Sequence, residues 1–431
     1  MMFGDFMMGA RSRLLPPSVP FRFFATAAVL QVPAWAVLLA FSGDAPAFMG
    51  GIGHILTSLH LITLGVLVMT AMGASFQLLP VATKKPVKSV SACKAVFWLF
   101  LSGLLLLVHG MGSENLPVLA LGAALAAVGL GLYAFLLFDN LRRVPDMKVV
   151  TDHAWIALAA LVLLAVLGAT LAADFLFGFL PDHRAIAMAH GVVAAYGFMG
   201  MLAMGFSFVL VPLFALSPPP DEKTGRRSAW LGGLAVLSAM AGLAHDIRPL
   251  IFVGGVLGLA AAGLHLYAMG KVMKSRMKKA LGDSFILIRL AWGLFPVSIV
   301  IGLLAASGIA PDRTGPLFGF VLVFGWLLSF LMGVLQRILP FLASMHSVKK
   351  GVKPILVSTL TASRPARLHL VFHCLALVLV AAGLVVQRSL LIRLGAVSGL
   401  AGALSFLSYA ALVWRRLYQH LHARVLQSET V

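Results

Sequence analysis

Apolar residues gather into twelve long stretches that are separated by short polar gaps. Each stretch has roughly the 20 residues that a helix needs to cross a bilayer. The sequence therefore predicts an all-α membrane protein with twelve transmembrane helices, in one membrane domain covering residues 1–431. We number the stretches S1 to S12: 21–42, 55–82, 93–110, 116–138, 153–173, 184–215, 228–245, 249–270, 284–307, 316–341, 368–386 and 389–414.

The composition narrows the class of protein further. Of the 431 residues, 61% are apolar and only 11% are charged. A soluble domain is about half apolar and about a quarter charged. Too few polar residues remain to cover a separate globular domain, which excludes a soluble enzyme held by a single membrane anchor.

The net charge of +19 is distributed unevenly along the chain. Most of the 33 Lys and Arg residues lie before S1, after S12 and in the even-numbered gaps. By the positive-inside rule both termini are cytoplasmic, in a multi-pass protein of a bacterial-type inner membrane. The basic excess thus indicates topology and contact with the anionic lipid bilayer, and we expect no nucleic acid as a partner. The opposite side holds Arg184, Arg248, Arg313, Arg388 and Arg393.

A pattern of Met-Gly followed by Pro recurs in S2, S6 and S10. The copies stand 132 and 128 residues apart, which is four segments. This spacing predicts three four-helix repeats at about 15–145, 146–280 and 281–425, and since four is even the repeats are parallel in the membrane. Chance similarity among Gly-rich and Leu-rich helices is the competing interpretation. The copies are Met72, Gly73 and Pro80; Met204, Gly205 and Pro212; Met332, Gly333 and Pro340.

Histidines at the outer ends of the segments are the candidate ligands. His60 and His190 lie in the first turns of S2 and S6, while His109 and His245 close S3 and S7. A neutral imidazole offers a nitrogen lone pair to haem iron, copper or zinc. A histidine near a helix end more often hydrogen-bonds water or backbone, so the sequence favours a cofactor site mainly for His60 and His190.

Two further sets of residues have an ordinary structural interpretation beside a functional one. Met69 and Met72, like Met201 and Met204, share a helix face and could hold Cu(I), but thioethers more often fill packing gaps. His369 and His373 share a face of S11 and are more typical of a structural pair.

The chain resembles the catalytic subunit of haem–copper oxidases and nitric-oxide reductases. The resemblance rests on twelve segments, the triplicated unit, and the stretch from His60 to Pro80, which is similar to the family's segment with a low-spin haem ligand. It implies haem b bound through His60, and His190 as a ligand of copper or non-haem iron. It also implies that Arg388 and Arg393 bind the haem propionates.

The sequence departs from that family at the usual binuclear centre. Family members carry two histidines on S10, and here the stretch 315–326 has none. The family also has adjacent histidines on S7, where this chain has only His245. The ligand set of such a centre is therefore incomplete, and an oxidoreductase activity is left open.

Three functions remain open from the sequence. The first is a haem-binding protein in respiratory electron transfer or nitric-oxide or oxygen chemistry, with other respiratory-chain subunits or a cytochrome as partners. The second is a cofactor-free transporter or permease, although the segments lack the mid-depth carboxylates that proton-coupled transport usually needs. The third is an assembly factor of a respiratory complex.

Overall fold

The computed structural model describes residues 15–83, 85–144, 147–347 and 355–422, and within these ranges all regular structure is helical. Twelve helices are long and apolar enough to cross a membrane, which confirms the predicted all-α membrane architecture. A four-residue helical turn, Val357–Leu360, lies outside these twelve. The helices are α1 Pro20–Ala40, α2 His54–Val81, α3 Val90–Gly112, α4 Leu116–Leu141, α5 Lys148–Phe177, α6 His183–Ala215, α7 Glu222–Ala244, α8 Arg248–Lys274, α9 Ser284–Ala306, α10 Pro311–Ser347, α11 Ser363–Val385 and α12 Ser389–Leu421.

Three of these helices form the centre of the bundle. In α2, α6 and α10, 67%, 72% and 78% of the most apolar stretch is buried, against 28% to 50% in the other nine. The central helix α10 contacts both α2 and α6, and α12 packs back on α1 and so closes the outer ring. Below, the upper end of the bundle is the end at which α2, α6 and α10 begin, and the lower end is where they finish.

Each central helix contains an eight-residue π-helical segment. The segments are Leu61–Val68, Val193–Gly200 and Val321–Leu328, so their first residues are 132 and 128 residues apart. The fifth residue of each is a glycine: Gly65, Gly197 or Gly325. Wide turns of this kind are rare and often occur at functional sites. Apolar periodicity does not predict them.

The Met-Gly pattern marks the closest approach of each central helix to the helix before it. At Gly73, Gly205 and Gly333 an added Cβ would lie 2.7 to 2.8 Å from atoms of α1, α5 and α9, respectively. Small residues let helix backbones approach closely in a membrane, where dispersion contacts replace the hydrophobic effect as the driving force. The nearest atoms are Phe23 Cβ, His153 Cβ and the Ser284 carbonyl oxygen.

The pairs α3–α4, α7–α8 and α11–α12 are hairpins that share one turn geometry. Each first helix ends with a residue of positive φ and an amide that donates back to a glycine carbonyl, the Schellman arrangement. These three bonds are Asn115 N to Gly110 O at 2.9 Å, Ile247 N to Gly242 O at 2.8 Å and Arg388 N to Gly383 O at 2.9 Å. The positive-φ residues are Glu114, Asp246 and Gln387.

A glycine on α4 allows the close packing of the α3–α4 hairpin to be tested by substitution. At Gly122 on α4, a Cβ would lie 2.2 Å from the backbone nitrogen of Leu107 on α3. Gly122→Ala is therefore expected to destabilise the protein by about 1–3 kcal/mol, measured as a fall in the thermal unfolding temperature in detergent. Gly131 on the same helix has nothing within 4 Å of its Cβ position. Gly131→Ala should leave the unfolding temperature unchanged or slightly higher, and equal losses in both variants would contradict the packing.

Candidate functional site

A large cavity occupies the upper half of the bundle. Its volume is about 1010 Å³, and helices from α1 to α11 contribute to its mostly apolar wall. On α2 the lining ends at Val68 and on α6 at Met204, just before the two glycines of close helix approach. The cavity has the size and the apolar character of a site for a large organic ligand.

His60 lies in this wall at the point where α2 becomes π-helical. Its Nδ1 lies 3.0 Å from the Leu56 carbonyl oxygen, one helical turn earlier. A carbonyl only accepts, so Nδ1 carries the proton and Nε2 keeps its lone pair. The same kind of second contact fixes the tautomer and ring orientation of metal-binding histidines.

His190 lines the same cavity from α6. Its ring packs on α5, where Cε1 would lie 3.2 Å from a Cβ at Gly168, and it interacts with the Leu164 carbonyl. Its Nδ1 is buried and has no hydrogen-bond partner among the described residues. The imidazoles of His190 and His60 are close enough to interact electrostatically. The two outer-end histidines singled out in the sequence thus face one space.

The other two candidate histidines lie elsewhere. His109 and His245 are exposed near the upper ends of α3 and α7, and neither belongs to the cavity wall. They also occupy different positions in their hairpins: His109 directly precedes the glycine of its turn, whereas His245 follows Gly242 by three residues. The structure therefore does not bring His109 and His245 together with His60 and His190.

The cations at the cavity differ from those suggested by the family resemblance. Arg388 and Arg393 are exposed at the start of α12 and do not line the cavity. Arg184 at the start of α6 and Arg248 at the start of α8 do line it. These two arginines place positive charge at the upper rim of a mostly apolar space, where Asp246 also lies.

Beside Arg184, a carboxylate and an imidazole form a pair that the sequence analysis did not identify. His183 Nδ1 lies 2.7 Å from Asp174 Oδ2, and the Leu180 amide donates to Asp174 Oδ1 at 2.6 Å. His183 also lines the cavity. The only sequence signal was an Asp that ends one segment and a His that opens the next, which is common at membrane interfaces.

An aromatic wall forms where α6, α9 and α10 meet. Phe295 and Trp326 stack with ring centroids 3.9 Å apart, and Tyr196 lies 5.4 Å from Trp326. The Tyr196 hydroxyl and the Ser298 hydroxyl are hydrogen-bonded at 2.9 Å. All but Ser298 line the cavity, so its wall offers flat aromatic faces and one paired phenol.

The methionines show no common metal geometry. Met201 and Met204 line the cavity and are almost fully buried, whereas Met69 and Met72 are buried away from the lining. Met69 and Met72 do not reach the cavity, so the packing role that the sequence suggests accounts for them.

His369 and His373 lie between α10 and α11, outside the cavity lining. His373 Nε2 is 2.8 Å from the Ser329 hydroxyl, and His369 Nδ1 is 3.1 Å from the Gln336 amide nitrogen. Both rings are buried, and they stack on each other with centroids 5.5 Å apart. These contacts tie α11 to the central helix α10.

Over the ranges that the structure describes, no three His, Cys, Asp or Glu side chains converge as a metal site would require. The cavity presents the imidazoles of His60, His183 and His190 on mostly apolar walls. This donor set suits a ligand that brings its own equatorial ligands to a metal and needs only axial ones from the protein, as a haem does.

Comparison with known proteins gives a structural likeness. No family model and no curated protein matches the chain. Among solved structures, it is similar to a haem–copper terminal oxidase dimer determined by cryo-electron microscopy, with a TM-score of 0.65 and 12% sequence identity. The match covers 95% of this chain and 85% of that chain. The chain therefore shares the fold of a haem–copper terminal oxidase.

The Asp174–His183 pair gives a prediction about the upper rim. Asp174→Asn should lower the thermal unfolding temperature, because the carboxylate accepts from both Leu180 and His183 and charge-assisted hydrogen bonds are stronger than neutral ones. Asp246→Asn, an exposed carboxylate that also lines the cavity, is the matched control. If both variants unfold at the wild-type temperature, the pair does not hold the α5–α6 connection.

Proposed function

We propose that this membrane protein binds a b-type haem in the upper cavity, with His60 as an axial ligand through Nε2. The observation that carries the proposal is the pairing of two imidazoles in one large apolar cavity, one of them with its Nδ1 committed to a backbone carbonyl. The shared fold with a haem–copper terminal oxidase supports it.

The residues of the site fit a porphyrin. The apolar wall and its aromatic faces match a flat macrocycle and exclude water from it, which stabilises a neutral ring system by burial of its surface. Arg184 and Arg248, at the rim, are placed to pair with the propionate carboxylates. Arg388 and Arg393 remain the alternative pair that the resemblance implies.

A bound haem would supply one-electron redox chemistry and an iron that takes up small diatomic ligands. The protein would supply the axial ligand, keep water out of the site and place positive charge near the propionates. The Leu56 carbonyl, by holding the Nδ1 proton, increases the basicity of the coordinating nitrogen of His60.

His190 has one of two roles in this proposal. It is either the second axial ligand of the same haem or a ligand of a separate copper or non-haem iron. Its position in the wall of the cavity that His60 also lines supports a ligand role.

On this basis we place the protein in respiratory electron transfer or in nitric-oxide or oxygen chemistry, in a bacterial-type inner membrane with both termini cytoplasmic. Other respiratory subunits or a cytochrome would exchange electrons with it. The crowding of Lys and Arg in the lower loops supports this orientation.

We also propose that the chain consists of three parallel four-helix repeats, at about 15–145, 146–280 and 281–425. Three features recur in the same order in each unit and support this: the π segments, the glycine contacts of the central helices, and the hairpin turns closed by Gly110, Gly242 and Gly383. Chance similarity would not be expected to reproduce all three at matching positions.

Optical spectra test the haem. Protein purified from haem-replete cells should show a Soret band and a reduced-minus-oxidised spectrum, and His60→Ala should lose most of both because an axial ligand is removed. His109→Ala and His245→Ala are controls with exposed imidazoles and should keep the wild-type haem content. A colourless, iron-free wild-type protein would contradict the proposal and favour a cofactor-free transporter.

A second variant separates the two roles of His190. If His190 is an axial ligand, His190→Ala should convert a six-coordinate low-spin spectrum into a five-coordinate high-spin one. If it binds a separate metal, the haem spectrum should persist while elemental analysis shows the loss of about one copper or iron. A His190→Ala protein with unchanged spectrum and metal content would remove His190 from the site.

A further inference from the structure

The α8–α9 loop, residues 275–283, is fixed to the lower end of the central helix α6. The amides of Met277 and Lys278 donate to the carbonyls of Leu216 and Ala215, both at 3.2 Å. Leu281 of the same loop is buried in the core. Backbone hydrogen bonds and the buried Leu281 side chain therefore hold the loop in place. The backbone from which its cationic side chains extend is fixed as a result.

Arg337 approaches this loop from α10. Its Nε donates to the Ser284 hydroxyl at 2.7 Å, and its guanidinium lies over the Phe285 ring, 5.6 Å from the centroid. A terminal nitrogen of the guanidinium lies 3.6 Å from the Cβ position of Gly282, a residue with φ of +73°. The half-buried guanidinium therefore points its remaining donors into the loop.

Lys278 lies four residues before Gly282, the loop residue that the Arg337 guanidinium approaches. The pKa of the Lys278 ammonium is lowered, first by its partial burial and then by the positive charge of Arg337. Two partly desolvated like charges cost free energy unless an anion neutralises them.

No carboxylate neutralises these two cations within the described ranges. The nearest acidic residue along the chain, Asp283, pairs instead with Arg367 at 3.3 Å. Arg276, two residues before Lys278, donates from Nη1 to the Met273 carbonyl, and its buried Nε has no hydrogen-bond partner in the described part of the chain. Arg276 and Lys278 of the loop and Arg337 of α10 are thus three half-buried cations, and Arg276 has a spare donor.

We propose that Lys278 and Arg337, with Arg276 beside them, form a binding site for a phosphate group at the lower membrane surface. A phosphate offers several acceptor oxygens to the planar donor fork of arginine and a full negative charge to the ammonium. Basic pockets between helices at this depth bind anionic phospholipid headgroups. The phosphate belongs either to such a lipid or to a free phosphate ion.

The test uses the full chain, purified in a non-ionic detergent and freed of lipid. Phosphatidylglycerol, phosphatidylcholine or inorganic phosphate is titrated in, and binding is followed by native mass spectrometry and by the thermal unfolding temperature. We expect phosphatidylglycerol to raise the unfolding temperature more than phosphatidylcholine does. Lys278→Gln should weaken this binding about fivefold to tenfold, whereas Lys279→Gln, which removes an exposed charge from the same loop, should not.

Further outcomes decide the ligand and the site. Saturation by inorganic phosphate that depends on Lys278 supports the site and identifies free phosphate as its ligand. In lipid-free protein, Lys278→Gln should raise the unfolding temperature, because the repulsion with Arg337 is removed. The proposal would be overturned if phosphatidylglycerol and phosphatidylcholine stabilised the protein equally and inorganic phosphate showed no binding that depends on Lys278. Equal weakening in the Lys278 and Lys279 variants would also overturn it. Arg337→Gln is a second variant that should also weaken binding. If Arg337→Gln fails to fold, the comparison of Lys278→Gln with Lys279→Gln decides the test.

Discussion

Close contact between each central helix and its preceding neighbour is the constraint on which the rest of the structure depends. At Gly73, Gly205 and Gly333 the absence of a side chain lets α2, α6 and α10 lie directly against α1, α5 and α9. Apolar side chains gain little from each other in a lipid environment, so contacts of this kind hold the bundle together. The cavity lining on the central helices lies on the upper side of these glycines.

Much of the architecture was predictable from the sequence because its cause is local. A hydrophobic stretch of sufficient length has few alternatives to a transmembrane helix, since every backbone amide in the membrane must be bonded within the segment. All twelve predicted stretches correspond to helices. The Met-Gly pattern was visible for a similar reason, because a position that excludes all side chains tolerates only glycine.

The site was less predictable because it depends on the directions of side chains between distant helices. The sequence singled out His60 and His190, which share the cavity, together with His109 and His245, which lie outside it. In the sequence, all four histidines were identified by their predicted position near the outer membrane surface. Only the packing of the helices shows which of them face the cavity. Asp174 and His183 were missed because their pairing forms across a turn between two helices.

The π segment of α2 determines where the proposed ligand points. One residue turns an α-helix by about 100°, and a π turn holds one residue more than an α turn. His60 immediately precedes the segment Leu61–Val68, and Gly73, which positions the helix, follows it. An ordinary α-helix with the same glycine contact would aim this imidazole at another neighbour. The direction in which the His60 imidazole points is therefore determined by the backbone hydrogen bonds of eight residues, none of which carries a titratable group.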